Sequence, residues 1–325
     1  MKIYVINENP DWYPPVAAAF DALGLPHEQW QLGDEVIDLD AEPPAGVFWS
    51  RMSASSHTRG HPFAKDQTRG VLSWLEGHGR RVVNGRRVLE LEMSKVEQHA
   101  ALRAAGFDVP RTIAVAGTER LAWAARKLPA PFITKHNQGG KGLGVRLFAG
   151  HDEFEAYLRS PEFEFPVDGI TLLQEYLRAA QPRITRAEIV DGEFIYAIAA
   201  DTAIGGFQLC PADACAVDNG TVLASTGSAS TGSANTGSAS TGSASIFTLR
   251  AGFDHPIIGK YLEFTRRHGI EIAGFEFIET ADGRCVTYDI NTTTNYNAEI
   301  EAAAPRSAQR AVAAFLGRLL DETEE

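Results

Sequence analysis

The chain opens on a short β-branched run, Lys2 to Ile6 (KIYVI), and passes through proline-rich turn residues into VAAAFDALG, whose apolar spacing is helical and which Gly24 stops. HEQWQL and GVFWSR are the next extended runs, Asp66 to His78 returns to helical spacing, and RRVVNG is extended again. Strands and helices in alternation predict an open α/β domain over residues 1–93. At Ser94 the pattern sharpens. Ser94 precedes Glu97 by three residues, as in a capping box, and Gly106 closes the helical run, with Pro110 just beyond. A second capped helix is predicted from Thr118 (TERLAWAARKL) to just before Pro129, followed by the strand PFITK.

Four glycines then fall within KHNQGGKGLGV. VRLF, after them, is β-like, and only HDEFEAYLRS, with Asp152 as its N-cap, reads as a helix. The glycine loop therefore joins two strands. A Walker A loop needs Ser or Thr after Gly140-Lys141, where this chain has Gly142, and a dinucleotide-binding turn needs a helix directly after the glycines. A flexible hairpin can still lay backbone N–H groups over phosphates, as protein kinases do, although kinase catalytic-loop and D-F-G signatures are absent.

Thr171 to Leu177 (TLLQEYL) is an apolar strand, and TRAEIVDGEFIYAIAAD is a hairpin turning at Asp191-Gly192. A helix runs from Asp254 to Gly269. IAGFEFIET and CVTYDIN are strands flanking the turn Ala281 to Gly283, and a helix spans Ser307 to Leu320. These elements divide the remainder into a central subdomain, residues 94–170, and a C-terminal one, residues 171–325. One stretch breaks the pattern. Thr226 to Ser245, within 225–245, is a TGSAS-type unit copied four times, either an engineered linker or a recent expansion. With no apolar side chain larger than alanine it cannot bury enough surface to offset its ordering entropy, so disorder is predicted, with a root-mean-square span of roughly 25 Å.

Composition narrows the function classes. A length of 325 residues suggests two or three cores, and 44% hydrophobic with 22% charged residues is ordinary for a soluble protein. A net charge of −12 argues against nucleic acid or an anionic membrane as the main partner. Cys210, Cys215 and Cys285 are too few for a disulfide framework and lack zinc-site spacing. With neither a signal-like run nor a membrane-length apolar segment, a cytoplasmic location is expected.

A lysine entering the glycine hairpin (Lys135), a strand ending in Gln174-Glu175-Tyr176-Leu177, and two strands carrying Glu276 and Asp289-x-Asn291 occur in that order. In these features the sequence resembles the ATP-grasp superfamily of ATP-dependent carboxylate–amine ligases, and within it the RimK-like branch, from about Ser94 onward apart from the repeat. Asp289 and Asn291 share one face of a strand, and their oxygens with that of Glu276 suit Mg²⁺, a hard cation. The resemblance implies that these three are metal ligands, for two ions, although the family usually has Glu where Asp289 stands.

The resemblance also implies that Lys95 and Lys135 bind phosphate, with Gly139, Gly140, Lys141, Gly142 and Gly144 as a lid. Gln174 to Leu177 would pair with the adenine. Arg186, in register with the family's R-x-E-x-V-x-G hairpin, would hold the γ-phosphate or acyl phosphate, since its planar fork suits phosphate. Ala199 and Ala200 stand where the branch commonly has a second cation. In the N-terminal domain, Arg51, His57 and Arg59 lie in a Ser-rich loop after a strand, where ligands bind in open α/β sheets. This loop either binds a substrate carboxylate or carries incidental charge.

The expected activity is Mg-ATP-dependent amide or peptide bond formation through an acyl phosphate, between a small-molecule or peptide carboxylate and an amine. An ATP-binding sensor or scaffold without ligation, or a ligase forming a thioester or ester, are the alternatives. Nothing in the sequence sets the oligomeric state, and a homo-oligomer is compatible with it.

Overall fold

A computed structural model describes residues 1–32, 36–140, 142–205 and 246–324. Lys141, Cys210, Cys215 and the TGSAS-type repeat lie outside the described residues. Strands β1 (Lys2–Asn7), β2 (His27–Gln31), β3 (Gly46–Ser50) and β4 (Arg81–Val83) form a parallel sheet in the order β2-β1-β3-β4, connected through helices α1 (Pro14–Asp21) and α2 (Ala64–Gly77). All five β3 residues are buried, as expected of a parallel strand covered on both faces. Helix α3 (Arg86–Met93) has no counterpart among the predicted elements. Its charged residues interrupt the apolar run, yet Glu92 is buried because Thr292, 200 residues away, donates to it.

Helix α4 (Lys95–Ala104) starts where predicted: Ser94 Oγ accepts from the Glu97 N–H at 3.3 Å, and Gly106 has the positive φ (79°) of a helix stop. Strands β5 (Thr112–Ala116), β6 (Phe132–His136), β7 (Arg146–Phe148) and β8 (Ile170–Glu175) form an antiparallel sheet in the order β5-β8-β6-β7, carrying helices α5 (Leu121–Ala125) and α6 (His151–Leu158). Because β8 pairs with β5 and β6, this sheet extends to Glu175, past residue 170. Both helices of this sheet start differently from expectation. Helix α5 begins at Leu121 with no side-chain cap, since Thr118 contributes only its backbone carbonyl. The N-cap of α6 is Gly150; Asp152 sits in the first turn, and Glu153 accepts from the Ala149 N–H at 2.8 Å.

The third sheet contains β9 (Arg183–Val190), β10 (Glu193–Asp201), β11 (Phe247–Leu249), β12 (Ile272–Glu279) and β13 (Cys285–Asn291), antiparallel in the order β11-β10-β9-β12-β13. Its helices are α7 (Thr202–Gly205), α8 (Ile257–His268), α9 (Ala298–Ala303) and α10 (Ala308–Glu324). Asp191 (φ 51°) and Gly192 (φ 69°) are both left-handed, which suits the tight hairpin turn predicted there. Helix α8 begins at Ile257, after Pro256, three residues later than the sequence suggests.

Alternation along β12 sends Ala273, Phe275 and Phe277 into a core with Tyr261 and Phe264 of α8, and leaves Gly274, Glu276 and Ile278 for the opposite face. Helix α10 crosses back to the N-terminal sheet, where Val312, Phe315 and Leu316 share a core with Ile3, Val5, Phe20 and Trp49. Among the described residues no helix is long and apolar enough to cross a membrane.

Candidate active site

The polar face of the third sheet holds a row of charges across three strands. Glu276 on β12 lies directly opposite Arg186 on β9 and directly opposite Asp289 on β13, so all three project from one face. A β-bulge shapes the row: Glu276 pairs with Asp289 but Phe277 pairs with Thr287, so Tyr288 is the extra residue. The Tyr288 hydroxyl donates to Glu276 Oε2 at 2.9 Å, and its ring lies 4.9 Å under the Lys135 ammonium. Asn291 Nδ2 donates to Glu276 Oε1 at 2.9 Å, leaving Asn291 Oδ1 free. Arg186 Nε sits 2.7 Å from Glu188 Oε1, and Nη1 is 3.6 Å from Glu276. The first contact is an ion pair without hydrogen-bond alignment, and the buried Nη2 has no partner. Gly274 makes room for this arginine, since a methyl there would overlap the guanidinium.

Lys95 reaches the same row from α4, 2.9 Å from Asp289 Oδ1 and 3.1 Å from the Gly139 carbonyl. Burial pulls its ammonium down, but Asp289, Glu92 and Glu276 together hold it above the usual lysine range. Asp289 is the mirror case. Burial raises it, yet Lys95 and Lys135 keep its carboxyl below the usual range. Burial pushes Lys135 down to about 8 and Glu92 up to about 7. Burial and the adjacent Asp289 carboxylate raise Glu276. These perturbed groups lie together in one cleft, the pattern that marks functional sites.

The cleft is open to solvent and spans about 1260 Å³, open solvent included. It is lined by Lys95, Lys135, Gly139, Gly140, Gly142, Gln174, Glu175, Tyr176, Leu177, Arg186, Glu276, Asp289 and Asn291, thirteen of the residues singled out from sequence. Ile133, Leu143, Val145, Ile184 and Ile278 add an apolar portion. The glycine loop does connect antiparallel strands, β6 and β7, with Gly142 at φ 76°. A helix N-terminus does meet the loop's base, from an earlier segment: the first N–H groups of α4 donate to Asn137, Lys95 N to its carbonyl and Val96 N to its Oδ1. Gly144 lies outside the cleft lining; it packs on the His136 ring, where a side chain would overlap. Lys141 falls outside the described residues. Ala199 and Ala200 are buried, and Ala200 helps line a small hollow beside Arg186.

The N-terminal loop is arranged differently from the sequence expectation. Arg51, His57 and Arg59 are absent from the cleft lining, whereas Ser53 and Ser55 belong to it. Arg51 is 1% exposed and donates to the Trp12 carbonyl (2.8 Å), the Thr294 carbonyl (3.0 Å) and Asn295 Oδ1 (2.8 Å). Arg59 makes a two-pronged ion pair with the fully buried Glu8 and donates to Ser55 Oγ at 3.1 Å. His57 is partly buried, which lowers its basicity. Trp12, Glu92, Thr293 and Asn295 line the cleft without having been singled out. The run NTTTNYN, which follows no core pattern, was the available signal for the last two.

The donor set suits a hard divalent cation in part. Glu276, Asp289 and Asn291 supply two carboxylates and an amide oxygen, and among the described residues no cluster of three or more His, Cys, Asp or Glu side chains forms a closed metal cage. An open oxygen set of this kind fits Mg²⁺, which completes its shell with water and substrate phosphates. The partnerless Arg186 Nη2 points to an anion as well.

No protein-family model and no curated protein matches this sequence. Solved structures do. A RimK domain ATP-grasp protein from Sphaerobacter thermophilus superposes over 97% of this chain and 99% of its own, with a TM-score of 0.66 at 15% identity. D-cycloserine synthetase DcsG matches over 98% of this chain and 99% of its own (TM-score 0.65, 17% identity). The ATP-grasp ligase PsnB, solved with a minimal precursor, Mg and ADP, matches over 97% and 96% (TM-score 0.61, 15% identity). At these identities the likeness is one of fold, and the fold of this chain is the ATP-grasp fold.

Proposed function

We propose that this chain is an ATP-dependent carboxylate–amine ligase. The observation that carries the reading is the convergence in one cleft of an oxygen triad (Glu276, Asp289, Asn291), two buried lysines and a buried arginine with an unpartnered nitrogen. The fold-level likeness to DcsG and to PsnB in complex with Mg and ADP supports it.

In this reading the apolar portion around Ile133, Ile184 and Ile278 holds the adenine, beside the Gln174 to Leu177 segment. Lys95 and Lys135 contact the phosphates under the glycine hairpin, with Gly139, Gly140 and Gly142 supplying backbone donors. Mg²⁺, held by Glu276, Asp289 and Asn291, would neutralise charge on the phosphate oxygens. The substrate carboxylate oxygen attacks the γ-phosphorus, the bond to the β-phosphate oxygen breaks, and ADP leaves. The amine then attacks the acyl carbon, phosphate departs, and the ammonium proton is lost to solvent. Arg186, braced by Glu188 and Glu276, orients the transferred phosphoryl group, and the cleft walls exclude water from the acyl phosphate.

A release assay for ADP, run over amino acids and peptides with Mg-ATP, tests this. Substrate-dependent ADP formation is expected, and Asp289→Ala should abolish it while leaving circular dichroism unchanged. Unaltered turnover in that variant would remove Asp289 from the metal site; ATP binding with no ADP formed on any mixture would favour a non-ligating nucleotide-binding module.

A further inference from the structure

The mechanism leaves unused the end of the cleft that runs under the N-terminal sheet, where Ser53, Ser55 and Asn295 form part of the wall. Behind this wall lies Arg51, a buried cation whose hydrogen-bond acceptors are all neutral: two backbone carbonyls and one amide oxygen. Among the described residues it makes no ion pair, its Nε is buried without a partner, and the Trp49 ring, 4.9 Å away, gives only a cation–π contact. A buried charge without a counter-ion is costly, and elsewhere in this molecule the buried Arg186 has Glu188 beside it and the partly buried Arg59 has Glu8.

The hydrogen bonds carry this charge to the cleft surface. An arginine only donates, so its bond to Asn295 fixes the amide with Oδ1 inward, and Nδ2 is left as a donor on the cleft side. The serines follow the same logic. Arg59 donates to Ser55 Oγ, the Ser55 N–H donates to Ser53 Oγ, and the two hydroxyls lie 3.0 Å apart. One hydrogen bond between them uses one hydroxyl hydrogen, and the other remains for the cleft. Both arginines thus stand one layer behind the wall and turn neutral side chains into donors.

We propose that this end of the cleft is a subsite for a substrate carboxylate, contacted by Asn295 Nδ2 and the Ser53/Ser55 hydroxyl pair, with the charge of Arg51 behind it as the counter-charge. The ligand class is a small molecule or peptide presenting one carboxylate at that end, and a neutral amide there is rejected. This deepens the ligase reading by assigning the residues that hold the substrate, and it can fail independently of that reading.

The test is calorimetry on the full chain with saturating Mg-ADP, so that no turnover is required. Free amino acids, dipeptides and short-chain carboxylic acids are titrated against their amide counterparts. At least one carboxylate should bind, with its amide weaker by about tenfold or more. Asn295→Asp keeps the bond to Arg51, supplies the missing counter-ion and places negative charge at the wall. It should raise the melting temperature, leave Mg-ADP affinity unchanged and weaken the carboxylate by about tenfold or more. Arg51→Met should also weaken the carboxylate; should that variant not fold, Asn295→Asp alone decides. Absence of carboxylate binding across the panel, equal affinity for acid and amide, or undiminished binding in Asn295→Asp would each overturn the proposal. The ligase reading falls separately, on the absence of ADP formation.

Discussion

Two buried groups of charge face each other across the domain junction, and they are built differently. In the third sheet, Arg186, Glu276 and Asp289 stand in one row, two adjacent carboxylates flanked by the Arg186 guanidinium and by the Lys95 ammonium reaching in from α4, and each keeps some bonding capacity toward the cleft. In the N-terminal loop, Glu8 and Arg59 close on one another, and Arg51 spends two of its three nitrogens on neutral acceptors. The first group is open toward a ligand and the second is wall. Both were legible as charged residues in suggestive positions, and what separates them is the partner each side chain finds. Asn295 is 244 positions from Arg51, and Glu8 is 51 from Arg59. Local sequence contains no trace of either pairing.

The contrast can be broken from each side. Removing Glu8 should have the larger effect. Glu8→Ala removes the fully buried partner of a partly buried arginine, leaves Arg59 without its counter-ion and is expected to cost about 3 kcal/mol in urea unfolding. A loss below about 1 kcal/mol would mean that the pair behaves as a surface ion pair and that the wall is softer than its burial implies. On the other side, Gly274→Ala places a methyl against the Arg186 guanidinium. The expected cost in stability is about 1–3 kcal/mol, with ADP formation reduced further than that cost would suggest, because the arginine must leave its place between Glu188 and Glu276. Activity at the parent level with Arg186 displaced in a crystal structure would detach this arginine from the chemistry.

Much of the frame was legible. Ser94 and Gly106 bound α4 as read, Asp191-Gly192 makes the tight turn, and the loop holding Gly139, Gly140 and Gly142 lies between strands. These features depend on chemistry within a few residues, which sequence exposes. Glu276, Asp289 and Asn291 were singled out through the family resemblance, a strand's two-residue period put the last two on one face, and all three line the one cleft. The bulge at Tyr288 was not legible, because an extra residue in one strand is defined only against its neighbour. Glu92 escaped notice for a similar reason: a glutamate in a charged octapeptide looks solvated until Thr292 donates to it. Arg51 and Arg59 were noticed but placed one layer too far forward.

The path of α10 has a consequence for how the protein is made. Its apolar face covers the N-terminal sheet, yet about 225 residues separate the end of β4 from the start of this helix. At ribosomal speeds of roughly 5–20 residues per second, that side of the sheet waits on the order of 10–45 s for its cover. A nascent chain stalled short of residue 308 should therefore bind an apolar dye that the full chain excludes. The N-terminal sheet therefore waits on synthesis of both later sheets before the helix that covers it leaves the ribosome.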